Sequence, residues 1–150
     1  MTLPEVSNAQ APSGVAAPKI EVKRDGATVQ LILNRPKALN AFDEDMRAVM
    51  AAEIPKIARN PDIYVVLLMS ASEKAFCAGG DVRALTALAK TDVKEAKKRF
   101  ADEYRLDWLL ECFSKPTVSF INGICMGSGA GLTSFNTHRI AGENYKFAMP

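Results

Sequence analysis

Apolar and polar residues alternate along residues 19–34 (KIEVKRDGATVQLILN), on both sides of the dipeptide Asp25-Gly26. A period of two is typical of a strand with one buried face, and Asp-Gly readily adopts the positive φ of a two-residue turn. This stretch therefore predicts two antiparallel strands joined as a hairpin. Two later runs, IYVVLLMS (63–70) and KPTVSFING (115–123), are short, largely apolar and rich in β-branched residues, which predicts strands buried within a sheet.

Helical patterns lie between these strands. Asp43 is predicted to cap a first helix, and Pro55 to kink that helix or end it early. The predicted apolar face of this helix comprises Phe42, Met46, Val49, Met50, Ile54 and Ile57. Residues 81–113 predict two helices broken near Thr91-Asp92. The predicted buried face of the second helix comprises Val93, Ala96, Phe100, Tyr104 and Trp108.

The rest of the chain continues this alternation. Residues 124–136 (ICMGSGAGLTSFN) predict an apolar helix preceded by closely spaced glycines, and residues 138–150 predict a strand, a turn and a short strand. This order places the chain in the α/β class, with no internal repeat visible in the sequence. Residues 1–18 have neither the apolar core of a signal peptide nor the Arg-rich pattern of an organelle presequence. We expect them to form a disordered tail before a core over residues 19–150.

Composition narrows the classes of function. The 150 residues are 48% hydrophobic, and 19 basic and 17 acidic residues give a net charge of +2. These values predict one soluble domain with no field strong enough to attract nucleic acid or a membrane surface, and no apolar run approaches the roughly 20 residues that span a bilayer. The three cysteines lie in apolar surroundings without CxxC spacing: Cys77, Cys112 and Cys125. We expect buried free thiols in a reducing, cytoplasmic compartment, and no metal site.

Two glycine-rich corners carry the candidate chemistry. AFCAGGDVR (75–83) and ICMGSGAGL (124–132) each combine an apolar run, small residues and a predicted helix start. The first amides of a helix have no intrahelical acceptor, and glycine lets a ligand approach the backbone closely. Two such corners side by side would form an oxyanion hole for a carbonyl oxygen. The alternative is that the glycines serve only tight turns and close packing; neither corner is a phosphate loop or a dinucleotide-binding fingerprint.

Four motifs extend this picture: LNRPKALNAF (33–42), AFCAGGDVR, KPTVSFINGICMGSGAGL (115–132) and RIAGENYKFAMP (139–150). In that order and spacing, residues 19–150 resemble the enoyl-CoA hydratase/isomerase (crotonase) superfamily. The resemblance implies the N-terminal part of a spiral of ββα units, and an acyl-CoA substrate without a further cofactor. It also implies that the backbone N–H groups of Gly80 and Ser128 form the oxyanion hole. Most members have glycine at position 128, so Ser128 departs from the family pattern. Since the donor is a main-chain group, a serine is expected to serve if its φ is negative.

The same resemblance implies contacts with coenzyme A. Lys37, Ala38 and Leu39 are expected beside the nucleotide and pantetheine, and Ala78 and Asp81 on the adenine side of the pocket. Arg83 is a candidate for the coenzyme's phosphates, because a guanidinium group pairs well with phosphate oxygens. The alternative for Arg83 is a solvated residue in the first turn of a helix.

Two acidic positions bear on the branch of the superfamily. Hydratases carry a glutamate after the second glycine run, where this chain has Gly131, which has no side chain for acid–base chemistry. The chain instead resembles the 3-hydroxyisobutyryl-CoA hydrolase branch, in which an acidic residue before a tyrosine contacts substrate, and Glu103 falls at that position. The alternative for Glu103 is a surface acid paired with Arg99. The resemblance puts the principal acid–base carboxylate of this branch just after Pro150.

We therefore expect a hydrolase of a short branched 3-hydroxyacyl-CoA, as in valine breakdown, in which Glu103 contacts the substrate hydroxyl or acyl end. The alternatives are an enoyl-CoA hydratase or isomerase, and a non-catalytic interaction module with the same fold. Assembly into a homo-oligomer is left open. His138, at the start of a predicted strand, and Cys77, in apolar packing, are expected to be structural and not catalytic.

Overall fold

A β-hairpin opens the part of the chain that the computed structural model describes, residues 17–149. The predicted tail over residues 1–18 falls almost entirely outside these residues. Strands β1 (Ile20–Asp25) and β2 (Thr28–Leu33) pair antiparallel, with Asp25 opposite Thr28. Gly26 has a φ of +56° and forms the turn with Ala27. The predicted hairpin is confirmed, with its turn one residue later than expected.

The hairpin begins a five-stranded sheet. Strand β2 pairs in parallel with β3 (Val65–Ser70), and the sheet continues in parallel through β5 (Thr117–Ile121) to β7 (His138–Ala141). Parallel neighbours need long crossover connections, and helices supply them here. No residue of β3 or β5 is exposed, as their largely apolar sequences predicted. Strand β2 was predicted with one buried face, yet its end is buried on both faces, since Leu31, Ile32 and Leu33 are at most 2% exposed.

A second, three-stranded parallel sheet runs beside the first. It contains β4 (Ala75–Cys77), β6 (Ile124–Met126) and β8 (Lys146–Ala148), in that order. Each of its strands follows a strand of the larger sheet within a few residues, and helices follow the first two. The chain therefore repeats a strand–strand–helix unit. This repeat was not recognised in the sequence, because a strand of three residues is too short to show an alternation of apolar and polar residues.

Helix α1 (Glu44–Arg59) packs its apolar face onto the hydrophobic core. Asp43 accepts a hydrogen bond from the Met46 amide at 3.1 Å, which confirms the predicted cap. Its predicted apolar residues are buried except for Val49, which is 37% exposed. The helix continues four residues beyond Pro55, so the early ending is wrong.

Helices α2 (Val82–Thr91) and α3 (Val93–Glu111) meet at Asp92, as predicted. Asp92 ends α2, and its side chain accepts a hydrogen bond from the Glu95 amide to begin α3. The predicted buried face of α3 is wrong apart from Ala96. The buried residues of α3 are Ala96, Leu106 and Leu110, whereas Val93, Phe100, Tyr104 and Trp108 are 48% to 69% exposed.

The orientation of α3 buries Leu106 and Leu110 and also brings an acidic side chain to its neighbours. This helix packs between α1 and the short helix α4 (Ser128–Ser134), and it turns Glu103 toward both. Phe100 and Tyr104 consequently line an open cleft and do not enter the core. Cys112 is also exposed, contrary to expectation, because it lies at the C-terminal cap of α3. Among the helices of residues 17–149, none has the length and apolar character needed to cross a bilayer.

Candidate active site

The two glycine corners lie next to each other at the ends of two paired strands. Parallel pairing of β4 with β6 places Cys77 opposite Cys125, so both strands deliver the chain to the same end of the small sheet. Gly79 has a φ of +109° and Gly127 a φ of +48°, conformations that side chains rarely adopt. A Cβ on Gly127 would lie 3.4 Å from the Cα of Gly79, which is ordinary van der Waals contact. The two corners therefore touch, and the positive φ is what disfavours a larger residue at either position.

The two predicted oxyanion donors follow directly after these glycines. A Cβ on Gly80 would lie 3.1 Å from the Ser128 Oγ, which places the two residues in near contact. Neither backbone N–H donates a hydrogen bond to another residue of the described part of the chain. Ser128 is the first residue of α4, where an amide has no intrahelical acceptor. Its φ is negative, since Leu39 and Asn40 alone have positive φ among the described non-glycine residues.

A cleft of about 630 Å³ opens over this junction. Both corners line it, together with the N-terminal end of α1, the start of α2 and one face of α3. Of the residues predicted to bind substrate, Ala78, Asp81 and Glu103 line the cleft with Gly80 and Ser128. This volume is in the range of small-molecule sites, and its walls combine apolar side chains with a few polar groups.

Glu103 is held from two sides. Its Oε1 accepts a hydrogen bond from the Ser128 hydroxyl, and its Oε2 lies 3.3 Å from Arg47 Nη2. Arg47 is itself only 7% exposed, and its Nη1 donates a hydrogen bond to Glu44 Oε2 at 2.8 Å. Its Cζ lies 5.8 Å from the centroid of the Phe42 ring. The surface pairing with Arg99 considered for Glu103 does not occur, because Arg99 pairs with other acids. Glu103 therefore connects the α1 arginine to the second glycine corner.

A second carboxylate of α3, Asp107, lies one helical turn beyond Glu103. A Cβ on Gly131 would be 3.1 Å from Asp107 Oδ1 and 3.3 Å from Oδ2, so this carboxylate rests against the bare backbone of α4. Burial, and then the negative charge of Glu103, raise the pKa of Asp107 to about 6, although Arg47 acts in the opposite direction. Sequence reasoning missed Asp107, although its spacing of four from Glu103 puts both on one helix face.

Asp81 has a structural task at the start of α2. Its side chain caps the helix by accepting from the Ala84 amide at 3.2 Å, and it also accepts from Arg35 Nη1 at 3.0 Å. These two hydrogen bonds hold the pKa of Asp81 below its usual range. The carboxylate therefore fixes one wall of the cleft as a charged group.

The predicted coenzyme A contacts divide into two groups. Lys37 and Ala38 belong to a 3-10 turn (Pro36–Ala38), and the carbonyl of Leu39 accepts from the Ala78 amide at 3.0 Å. This segment is adjacent to the first corner but does not line the cleft. Arg83 lies on the exposed side of α2 and is also absent from the cleft wall.

Asn40 anchors this segment and was not singled out from the sequence. It is fully buried with a φ of +53°. Its Oδ1 accepts from the Arg35 amide at 2.7 Å, while its Nδ2 donates to Ser70 Oγ at 2.8 Å and to the Phe76 carbonyl at 3.0 Å. One side chain thus fastens residues 35–40 to the strands that precede the first corner.

Two other candidates have surroundings that favour structural roles. Burial raises the pKa of the Cys77 thiol to about 12, so it is not a thiolate at neutral pH. His138 is exposed at the start of β7. Within residues 17–149, no group of three or more His, Cys, Asp or Glu side chains could hold a metal ion.

Comparison with known proteins identifies the family. The sequence profile described as enoyl-CoA hydratase/isomerase matches residues 28–150. The chain belongs to this family. Solved structures agree: a carnitinyl-CoA dehydratase from Mycobacterium thermoresistibile matches 88% of this crotonase-type chain with a TM-score of 0.85 and 38% identity, covering 39% of that protein. An enoyl-CoA hydratase from Rhodobacter sphaeroides matches with a TM-score of 0.83 and 31% identity, and the match covers 88% of this chain and 40% of the hydratase chain. The predicted crotonase fold is thereby confirmed.

Curated relatives at similar identity carry the name of the hydrolase branch. The human protein named "3-hydroxyisobutyryl-CoA hydrolase, mitochondrial" is 37% identical over 135 residues, 90% of this chain and 35% of the human protein. The protein of the same name from Xenopus tropicalis is 40% identical over 125 residues, 83% of this chain and 32% of that protein. This member of the family thus spans about a third of the length of these relatives.

Proposed function

We propose that the protein is an acyl-CoA thioester hydrolase of the 3-hydroxyisobutyryl-CoA hydrolase type, acting in valine breakdown. The observation that carries the proposal is the meeting of Gly80 and Ser128 at one cleft, with neither amide hydrogen-bonded to another described residue. Two free donors side by side suit an oxygen that gains negative charge during a reaction. The curated relatives named as hydrolases support the choice of thioester and reaction.

In the proposed reaction, the thioester carbonyl oxygen accepts hydrogen bonds from both amides. Water attacks the carbonyl carbon, and negative charge collects on the oxygen between the two donors. The carbon–sulfur bond then breaks, the acid leaves, and the proton from water passes to the sulfur of coenzyme A. Gly131 supplies no side chain for these proton transfers, so the resemblance assigns the principal acid–base carboxylate to a position after Pro150. Glu103 is proposed to contact the acyl end.

The coenzyme A part of the substrate is proposed to run from the cleft toward the first corner. Leu39 and Ala78, which are joined by a backbone hydrogen bond, would flank the pantetheine with Lys37 and Ala38 nearby. Asp81 is proposed to bind on the adenine side, and Arg83 remains the candidate for the phosphates on account of its charge alone. The relatives' names place those proteins in mitochondria, and the compartment predicted for this chain stays a prediction.

Product analysis tests the proposal. The full-length protein is incubated with 3-hydroxyisobutyryl-CoA, and free coenzyme A is followed with a thiol reagent. Release of one thiol per 3-hydroxyisobutyrate formed is expected. Absence of thiol release, with the substrate recovered intact, would refute the hydrolase assignment.

Hydration of an enoyl-CoA is the second candidate, favoured by the structural similarity to a protein named enoyl-CoA hydratase. The discriminating substrate is crotonyl-CoA. A hydratase removes its conjugated double bond without releasing a thiol, whereas a hydrolase releases the thiol. Loss of the enoyl absorbance without thiol release would replace the first proposal with the second.

A further inference from the structure

The two carboxylates of α3 in the cleft differ in what surrounds them. Both oxygens of Glu103 already have partners, one in the Ser128 hydroxyl and the other in Arg47. Asp107 has no hydrogen-bond or ion-pair partner among residues 17–149, although it lines the same cleft. An ionised carboxylate has only acceptor oxygens, and one without partners is open to a donor from a ligand. Asp107 is thus the free acidic acceptor that α3 presents to the cleft.

Asp107 also lies close to the expected position of the acyl group. Gly131 follows Ser128 by three residues, so it lies about one turn further along α4, or roughly 5 Å. The Asp107 oxygens are 3.1 and 3.3 Å from the point where a Gly131 side chain would begin. A thioester whose carbonyl oxygen sits at the Ser128 amide therefore has the next carbons of its acyl chain within reach of Asp107.

We propose that Asp107 accepts the hydrogen bond of a hydroxyl group on the acyl chain and so sets the preference of the site for hydroxylated acyl-CoA esters. This inference rests on the proposed function and refines it by assigning the group that distinguishes a 3-hydroxyacyl chain from the unsubstituted one. Gly131 contributes to this arrangement, because a side chain there would press on the carboxylate and displace it slightly. Glu103 keeps its proposed contact with the acyl end.

The preference should depend on pH. The other charged groups that line the cleft are Glu103 and Arg99 on the same helix, Asp43, Glu44, Asp45 and Arg47 at the start of α1, and Asp81 at the start of α2. Tyr104 is also titratable, and α4 contributes no titratable side chain. The raised pKa of Asp107 makes it ionised above about pH 6 and protonated below. Since the ionised form is the stronger acceptor, discrimination in favour of the hydroxylated ester should increase as the pH rises through 6.

The test compares two esters that differ by one hydroxyl group. The values of kcat/KM for 3-hydroxyisobutyryl-CoA and isobutyryl-CoA are measured for the full-length wild type, D107A and D107N from pH 5 to 8. D107A should lower the preference for the hydroxylated ester roughly 10- to 100-fold, the effect of one hydrogen bond to a charged group, and change kcat/KM for isobutyryl-CoA by less than about threefold. D107N keeps an acceptor oxygen, so it should retain part of the preference and lose its pH dependence.

Asp102 provides a matched control on the same helix, because it pairs with Lys98 at 3.5 Å and does not line the cleft. D102A should keep the wild-type preference. An unchanged preference in D107A, or an equal loss with both esters, would overturn the assignment.

Calorimetric binding of both esters distinguishes a failure of the Asp107 assignment from a failure of the proposed function. If the wild type binds the esters but releases no thiol, hydrolysis is refuted, and the binding preference of D107A decides the role of Asp107. If neither ester binds, both proposals fall.

Discussion

Replacing Asp107 with asparagine is expected to stabilise the folded protein at neutral pH. Burial and the charge of Glu103 raise the pKa of Asp107 from its usual 3.8 to about 6. The folded state therefore holds a proton more tightly than the unfolded state does. The contribution of Asp107 to the free energy of unfolding is largest below pH 3.8. It decreases as the pH rises from 3.8 to 6 and stays low above pH 6. Asparagine has almost the same shape and carries no charge, so D107N removes this loss.

The size of the effect follows from the shift. A shift of about two pKa units corresponds to about 3 kcal/mol at most. The cleft is open to water, which screens the carboxylate, so we expect a gain of about 1 to 2 kcal/mol at pH 7 to 8. In thermal unfolding this gain corresponds to an increase in Tm of about 3 to 8 °C.

Urea unfolding of the wild type and D107N from pH 4.5 to 8 measures this difference. The gain of D107N should be small at pH 4.5, increase up to about pH 6.5 and level off above that. D102N removes the same charge from the outer side of α3 and should show no such increase. A D107N protein that is less stable than the wild type at pH 7, or equally stabilised at every pH, would refute the reasoning.

Five further substitutions probe the contacts that support the cleft, each measured by urea unfolding. G129A should lower the free energy of unfolding by at least about 2 kcal/mol, because its Cβ would lie 2.6 Å from the rigid Cys77 carbonyl. G131A should lower it clearly less, because its Cβ meets only a movable carboxylate. Equal losses in the two variants would contradict this. N40A should cost about 2 to 4 kcal/mol because it leaves several buried groups unpaired and places alanine at positive φ, and a loss below 1 kcal/mol would show that the anchor is dispensable. R47M should cost about 1 to 2 kcal/mol by leaving the cleft glutamate without its cation, because water in the cleft screens that charge, whereas R47K should cost less; equal costs would contradict this.

Local patterns predicted most of the elements. Alternation gave the hairpin, with its turn displaced by one residue, and the acidic residue at Asp92 marked the boundary between two helices. These features depend on neighbours within a few residues. The three-residue strands that position both corners left no period, so only the resemblance indicated that Gly80 and Ser128 belong together.

The site was less accessible to sequence reasoning than the fold. The buried face of α3 was predicted from hydrophobicity and is wrong: Leu106 and Leu110 are buried in its place, and Glu103 pairs with Arg47, 56 positions earlier in the chain. In this orientation Phe100 lines the cleft. Likewise, the approach of Asp107 to Gly131 depends on the packing of α3 against α4, which no local period encodes.

The central claim is that the Ser128 amide donates to the thioester oxygen, and proline at this position tests it. Proline is favoured at the first position of a helix, so S128P removes the N–H and leaves the helix bonding of α4 intact. It also removes the hydroxyl that binds Glu103, so S128A, which loses the hydroxyl and keeps the amide, is the matched control. Both variants should first show the thermal unfolding of a folded protein.

The decisive measurement is kcat for 3-hydroxyisobutyryl-CoA in S128P relative to S128A. A missing oxyanion donor lowers kcat by about 100- to 1,000-fold, and we predict a ratio in this range. Equal rates in two folded variants would contradict the account, because the Ser128 amide would then have no part in stabilising the charge on the oxygen.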